Sequence, residues 1–233
     1  LSAEESIRFG VFAYKGVEQT RKQYAPLAEA LTEKLGVPVV LELLTQEEMN
    51  AKMARGELDI ITTNPTHFLH IRQSYHLDGA VATLEGYKKG VATDALAGVI
   101  VVKNKSTITK LQDLKGKKIA APSKTHMGGY RAQAYEIYLS GVDVAKESTI
   151  IEIGGSHQKS VEAVLSGKAD AAFIRDGIYE EMLEGGFIQK DTLRILNRQK
   201  SEHPYVISTR LYPEWPVFIM KHVSCNVAKK FVA

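Results

Sequence analysis

The sequence predicts an α/β protein of two lobes, each a mainly parallel sheet flanked by helices. Three observations carry this. Short apolar strands alternate with amphipathic helices through short links, an order that implies parallel sheets with helices on their faces. The order starts at Ile7 and restarts after Lys103 instead of continuing. An internal echo joins the halves: Met53-Ala54-Arg55-Gly56-Glu57-Leu58-Asp59-Ile60 and Leu165-Ser166-Gly167-Lys168-Ala169-Asp170-Ala171 share one form. Each reads helix, glycine stop, polar residue, aspartate, buried strand. The echo is too short for a sequence repeat, but two such units point to two lobes.

Ile7 to Phe12 is a first strand, ending in Ala13-Tyr14-Lys15-Gly16. Tyr24, Leu27, Ala28, Leu31 and Leu35 then share one helix face, and Gly36 stops it. Val37 to Leu43 is a second strand, Gln46 to Arg55 a helix ended by Gly56, and Leu58 to Thr62 a third strand. It runs into Thr63 and Asn64, where Asn64 suits an N-cap and Pro65 the first helical position. That helix reaches Tyr75, and a short apolar segment follows, Gly79 to Leu84.

Ala97 to Lys103 is a β-branched strand, and Lys118 to Ala121 another, leading through a polar loop to a helix from Tyr130 to Leu139. Ile150 to Ile153 is a strand running into Gly154-Gly155-Ser156-His157, with Ser156 as N-cap of a helix from Gln158 to Ser166. Ala169 to Ile174 is a strand ending at Arg175-Asp176-Gly177; a helix (Ile178 to Leu183) and a strand (Leu193 to Leu196) follow. Tyr205 to Thr209 reads as a strand that pairs with Ala97 to Lys103, the two forming the crossings between lobes. Lobe 1 is then residues 1–96 and 205–233, lobe 2 residues 97–204, with a hinge near 95–99 and 203–208. Leu211 to Pro216 leads into a last helix with Val223, Val227 and Phe231 on one face.

Composition excludes several classes. Among 233 residues the formal charge is only +3 and the Lys and Arg are dispersed, which argues against a nucleic-acid surface. The single cysteine, Cys225, rules out an internal disulfide. No apolar run approaches the roughly 20 residues that span a bilayer. Leu1-Ser2-Ala3-Glu4-Glu5 is not an initiator sequence, and Lys229-Lys230-Phe231-Val232-Ala233 stops inside a helical pattern, so the natural chain is expected to continue past Ala233.

The chemistry concentrates in APSKTHMGGYRAQAY, residues 121–135. Ser123, Thr125, His126 and the pair Gly128-Gly129 lie between a strand and the helix that Tyr130 opens. Hydroxyls and glycines there present backbone N–H groups, and the helix dipole adds partial positive charge, a design that holds an anion. Thr63-Asn64 and Ser156-His157 repeat it.

These pieces resemble the extracytoplasmic solute-binding proteins of the phosphate and phosphonate type. The resemblance rests on Tyr24-Ala25-Pro26-Leu27-Ala28 with Leu31 and Leu35-Gly36, then Gly56-Glu57-Leu58-Asp59-Ile60, Asp113-Leu114-Lys115-Gly116-Lys117, Gly155-Ser156-His157 and Gly167-Lys168-Ala169-Asp170-Ala171, in the family's order. It implies the two-lobed type II periplasmic-binding-protein-like fold, with a two-segment hinge and a ligand in the inter-lobe cleft. Carried over residue by residue, the ligand contacts are Tyr14, Thr63, Asn64, Ser123, Thr125, His126, Gly128, Gly129, Tyr130, Ser156, His157 and Asp176. The family's phosphonate binders have a Ser-x-Ser-Gly type of loop where this chain has Lys124-Thr125-His126-Met127-Gly128-Gly129-Tyr130. Fewer hydroxyls argue against phosphonate itself.

The Gly-Gly-Tyr version, with Tyr212-Pro213-Glu214-Trp215-Pro216 and the uncapped last helix, is similar to periplasmic sensor regions of membrane-bound histidine kinases, including those that sense sulfur oxyanions. The resemblance therefore implies a membrane-anchored sensor domain for a small anionic or zwitterionic ligand, without cofactor, metal or nucleic acid. The alternative is the binding subunit of an ABC importer, partnered by a permease. A hydrolase using Ser123 or Ser156 with His157 and Asp176 is the remaining class, but no Gly-x-Ser-x-Gly elbow or Walker loop supports it. His67, His70 and His76, like His222 with Cys225, have spacing open to zinc, yet no carboxylate or cysteine cluster joins them.

Overall fold

The structure, a computed structural model, describes residues 6–232, so the readings made from Leu1–Glu5 and from Ala233 lie outside the described residues. The chain forms two compact units, Leu1–Leu84 with Glu214–Ala233 (unit 1) and Glu85–Pro213 (unit 2).

Unit 1 opens with β1 (Ile7–Phe12), α1 (Val17–Leu35), β2 (Val39–Leu44), α2 (Gln46–Ala54), β3 (Ile60–Thr62), α3 (Pro65–Tyr75) and β4 (Ala82–Thr83). Unit 2 begins with three short strands, β5 (Gly86–Lys88), β6 (Val91–Thr93) and β7 (Ala95–Leu96). Its main elements are β8 (Gly98–Lys103), β9 (Lys118–Ala121), α4 (Ala132–Leu139), α5 (Val144–Glu147), β10 (Thr149–Glu152), α6 (His157–Leu165), β11 (Ala171–Arg175), α7 (Ile178–Glu184), β12 (Leu193–Leu196) and β13 (Tyr212–Pro213). The chain then returns to unit 1 as β14 (Pro216–Ile219) and α8 (Cys225–Val232). Among the described residues no helix is long and apolar enough to cross a membrane.

Local chemistry sets several helix starts. Thr45 and Glu48 form a reciprocal capping box at α2. Asn64 accepts from His67 N at 3.0 Å with Pro65 at the first turn, and Ser156 accepts from Lys159 N at 3.1 Å.

The same sheet is built twice. The strand orders are β2-β1-β3-β14-β4 and β10-β9-β11-β8-β12. In both, the first three strands are parallel and the fourth runs against its two neighbours. In β8, Val99 and Val101 pack into one core with Val161 and Val164 of α6, while Ile100 and Val102 pack into another with Ile137 of α4. A strand buried on both faces alternates sides without alternating polarity, hence the continuous apolar run.

The echo in the sequence has a structural cause. Asp59 N donates to Arg8 O at 3.0 Å, and its carboxylate accepts from Arg8 N at 2.7 Å. Asp170 N donates to Lys118 O at 2.8 Å, and its carboxylate accepts from Lys118 N at 2.8 Å. Each aspartate precedes the third strand of its parallel trio and clamps both backbone groups of the neighbouring strand's first turn of ladder. A glycine at positive φ, Gly56 at 68° or Gly167 at 79°, turns the chain into position ahead of it.

Two segments depart from expectation. Where the tail read as Leu211 to Pro216 was expected to lead into the last helix, Pro216–Ile219 forms β14, paired antiparallel with β3 and β4. Val217 and Phe218 are both buried, so no polar alternation marks the strand. Tyr205–Thr209 is not a strand. Ser208 N does reach Gly98 O, but the N–H groups of Gly98 and Ile100 donate to the Thr209 and Ser208 hydroxyls, at 3.0 and 2.9 Å. Side-chain oxygens take over the edge of β8 from Ile100, the last residue paired with β12, to Gly98. Both expected crossings, 95–99 and 203–208, fall inside unit 2.

Candidate functional site

In open α/β sheets ligands gather beyond the carboxyl ends of the parallel strands. In unit 2 these are the ends of β9, β10 and β11. After β9, Met127–Arg131 forms a single π-helical turn before α4, the kind of irregularity that recurs at functional sites. The N–H groups of Tyr130 and Arg131 both reach His126 O. Ser123 and Thr125, expected at the helix mouth, bond each other at 3.0 Å. The ring of Tyr130 turns inward and packs near Phe173, at 6.1 Å between centroids.

His157 opens α6 and is buried. Its Nδ1 accepts from Arg175 N at 3.1 Å, which ties the start of α6 to the end of β11. An Nδ1 that accepts leaves the proton of the neutral ring on Nε2, so that nitrogen acts as a donor. Gly129 sits against this imidazole: a Cβ there would lie 3.0 Å from His157 Cε1 and 2.5 Å from Pro122 Cγ. The His126 ring is 6.0 Å from that of His157.

Asp176 is buried beside this end. Its carboxylate accepts from Ala97 N at 3.1 Å and from His203 Nε2 at 2.8 Å, and Arg175 Nε lies 3.4 Å away. Ser156, His157 and Asp176 thus each hold a partner other than one another, namely Lys159 N, Arg175 N and His203.

In unit 1, the Tyr14 loop follows β1 and Thr63-Asn64 follows β3, strands paired directly. Tyr14 lies 5.0 Å from Trp215, which stacks on Phe12 at 5.7 Å. The place of Trp215 beside Tyr14 is not legible in the sequence, because it joins the cluster from the far end of the chain. Thr63 is fully buried and its hydroxyl lies 3.0 Å from His67 Nδ1, while His67 Nε2 lies 2.9 Å from Asn50 Oδ1. With both nitrogens so engaged, His67 belongs to a hydrogen-bond chain. Thr62 Oγ1, Asn64 Nδ2 and Thr66 Oγ1 are buried polar atoms without a protein partner, gathered at the start of α3.

Burial pushes His126 down to about 4, against an opposing pull from Glu152, and burial together with His70 pushes His67 to about 4. As pH falls the unfolded chain takes up these protons first. Their contribution is therefore present above the ordinary histidine value of 6.5 and lost between 6.5 and about 4. We expect urea midpoints to drop across that window, with a shallower slope in His126→Asn; equal slopes would show that His126 titrates normally.

A family model described as ABC transporter, phosphonate, periplasmic substrate-binding protein matches residues 9–232. The chain belongs to that family. Membership of this periplasmic family implies an extracytoplasmic binding domain. Among curated proteins it is similar to the tetrathionate sensor histidine kinase TtrS of Salmonella typhimurium, 26% identical over 223 residues, 95% of this chain and 38% of that protein. The chain therefore spans well under half of that relative's length. Among solved structures, PhnD1 of Prochlorococcus marinus with methylphosphonate matches at TM-score 0.72 and 15% identity, covering 99% of this chain and 80% of that one. XAC2383 of Xanthomonas citri bound to ATP matches at TM-score 0.73 and 15% identity, covering 97% and 81%. Both likenesses bear on the fold, the two-lobed α/β architecture of periplasmic binding proteins.

Proposed function

We propose that this chain is the ligand-binding sensor domain of a membrane-anchored two-component histidine kinase, and that it closes on a small anionic solute. The observation that carries the ligand class is His157. Its Nδ1 accepts a backbone N–H, which leaves the proton of a neutral ring on Nε2, and the ring stands at the start of a helix, where the dipole favours negative charge. The proposed contacts are His157 with Ser123, Thr125, His126, Gly128, Gly129, Tyr130, Ser156 and Asp176 in unit 2, and Tyr14, Thr63 and Asn64 in unit 1. Partnerless Thr62, Asn64 and Thr66 atoms support the unit 1 group. The kinase role is supported by the similarity to the tetrathionate sensor over 95% of this chain. A binding subunit of an ABC importer is the second reading, favoured by the description of the family model.

The test is a thermal-shift screen against sulfate, thiosulfate, tetrathionate, phosphate and methylphosphonate. A saturable rise with at least one anion is expected. His157→Ala should remove that rise, besides costing about 1–2 kcal/mol for the unmet Arg175 N–H. No rise with any anion, or unchanged binding by the variant, overturns the reading. In membrane vesicles with the whole protein, ligand-dependent autophosphorylation marks a sensor, and ligand-dependent permease ATPase activity marks an importer subunit.

A further inference from the structure

Gln133, in the first turn of α4, is 0% exposed, and its amide nitrogen is surrounded by backbone carbonyls. Nε2 donates to Gly128 O at 2.7 Å and to Ile174 O at 2.9 Å, with Val99 O further off at 3.4 Å. Carbonyls around one end of the amide assign that end as the nitrogen. Gly128 belongs to the π-helical turn, whereas Ile174 and Val99 face each other across the ladder of β11 and β8. One buried amide thus fastens the turn to a pair of strands.

The fold makes room for it. A Cβ on Gly98, in β8, would stand 2.4 Å from Gln133 Cδ, 2.6 Å from its Nε2 and 2.7 Å from its Oε1. Gly98 does not have positive φ, so space and not backbone conformation accounts for the glycine. For packing alone, however, an amide is a poor choice. Gln133 Oε1 is buried and has no hydrogen-bond partner among the described residues. An unmet acceptor in the core costs stability that a methionine of similar length would not. What methionine cannot supply is the bond to the turn.

The two carbonyls that Gln133 holds belong to the peptide units on either side of the His157 ring. Gly128 O shares its peptide with the nitrogen of Gly129, where a Cβ would lie 3.0 Å from His157 Cε1. Ile174 O shares its peptide with Arg175 N, which donates to His157 Nδ1 at 3.1 Å. Both peptides are trans, and in a planar trans peptide the C=O and N–H point in opposite directions. Each unit therefore turns its oxygen to Gln133 and its nitrogen away from it. For Arg175 that direction leads to the imidazole.

We propose that Gln133 is a positioning residue of the anion site: it acts through the Gly128-Gly129 turn, holding that turn against His157, and does not touch the ligand. This rests on the anion-binding reading above and deepens it, since the buried amide then sets affinity from beneath the turn.

The probe is whichever of sulfate, thiosulfate, tetrathionate, phosphate and methylphosphonate gives the unmodified protein its largest thermal shift. Its Kd is measured by calorimetry at a temperature where every variant is folded. Gln133→Met should weaken binding by about 10-fold. Ile137→Val, a trim of another fully buried α4 residue that removes no hydrogen bond, should lower the unfolding midpoint but keep Kd within about 2-fold. Gly98→Ala, which drives the amide from its place, should weaken binding as much as Gln133→Met. In a Gln133→Ala background the same Gly98→Ala change should alter Kd by less than about 2-fold.

Parent-like affinity in Gln133→Met, with its midpoint lowered, makes Gln133 merely structural and overturns the proposal while leaving the anion-binding reading intact. An equal loss from Gly98→Ala in both backgrounds also overturns it. No shift with any of the five anions defeats the reading itself, and the proposal with it. Should Gln133→Met fail to fold, Gly98→Ala alone decides: unchanged Kd in that variant overturns the proposal.

Discussion

Asp59→Ala is expected to destabilise unit 1 by about 3 kcal/mol, and Asp170→Ala, at the twin position, to destabilise unit 2 by only about 1 kcal/mol. The backbone clamp is the same at both, so the difference comes from the side chains around it. Asp170 is exposed and serves one N–H. Asp59 is buried, with 11% of its side chain exposed, and it also accepts from Arg8 Nε at 2.9 Å, from Arg8 Nη2 at 2.8 Å and from His222 Nε2 at 2.8 Å. Removing it leaves a strand N–H unmet and strands a half-buried guanidinium. Trp215 is the only tryptophan and lies in unit 1, so its fluorescence reports the transition that should move. Burial by itself would raise the Asp59 carboxyl; the bonds from the Arg8 side chain and backbone and from His222 outweigh it and hold it below the usual value. Its contribution is then present above about pH 3.9 and lost as pH falls through the lower folded value. Equal costs at the two aspartates would mean that the backbone clamp alone matters.

The features legible in the sequence are those whose cause lies within a few residues. The caps Asn64 and Ser156 each accept an N–H from three residues on, and that spacing can be read directly. The aspartate clamps were visible as an echo, although their partners lie 51 and 52 residues away, because the fold uses the same local sequence twice. What escaped depends on distant partners. β14 is specified by β3, over 150 residues earlier, and its buried Val217 and Phe218 show no alternation. Tyr205–Thr209 has the composition of a strand, yet Ser208 and Thr209 satisfy β8 through hydroxyls. At the candidate site the difficulty is the same. Ser123 and Thr125 could be recognised as loop hydroxyls, but not that they bond each other; Tyr130 could be placed at the turn, but not its ring in the core. The clamp of Asp176 by His203, 27 residues on, is not visible in Arg175-Asp176-Gly177.

Gly129→Ala is expected to abolish ligand binding while costing about 1–3 kcal/mol of stability. The reason is space. Gly129 does not have positive φ, so alanine suits its backbone. The new methyl would stand 2.5 Å from Pro122 Cγ, 3.2 Å from Pro122 Cδ and 3.0 Å from His157 Cε1. The proline ring cannot rotate away, and the imidazole is held by Arg175 N. The π-helical turn must therefore move off His157, separating the two loops that the proposed site joins. Gly141 supplies the control. Its φ is 95° and nothing lies within 4 Å of its would-be Cβ, so alanine there costs about 1–2 kcal/mol through backbone strain alone. Gly141 lies beyond the far end of α4, away from the His157 loop. Gly141→Ala should therefore lose comparable stability and keep the ligand-induced thermal shift, whereas Gly129→Ala should lose both. If the two variants bind alike, the close approach of Gly129 to His157 plays no part in recognition, and the anion contacts lie elsewhere on the turn.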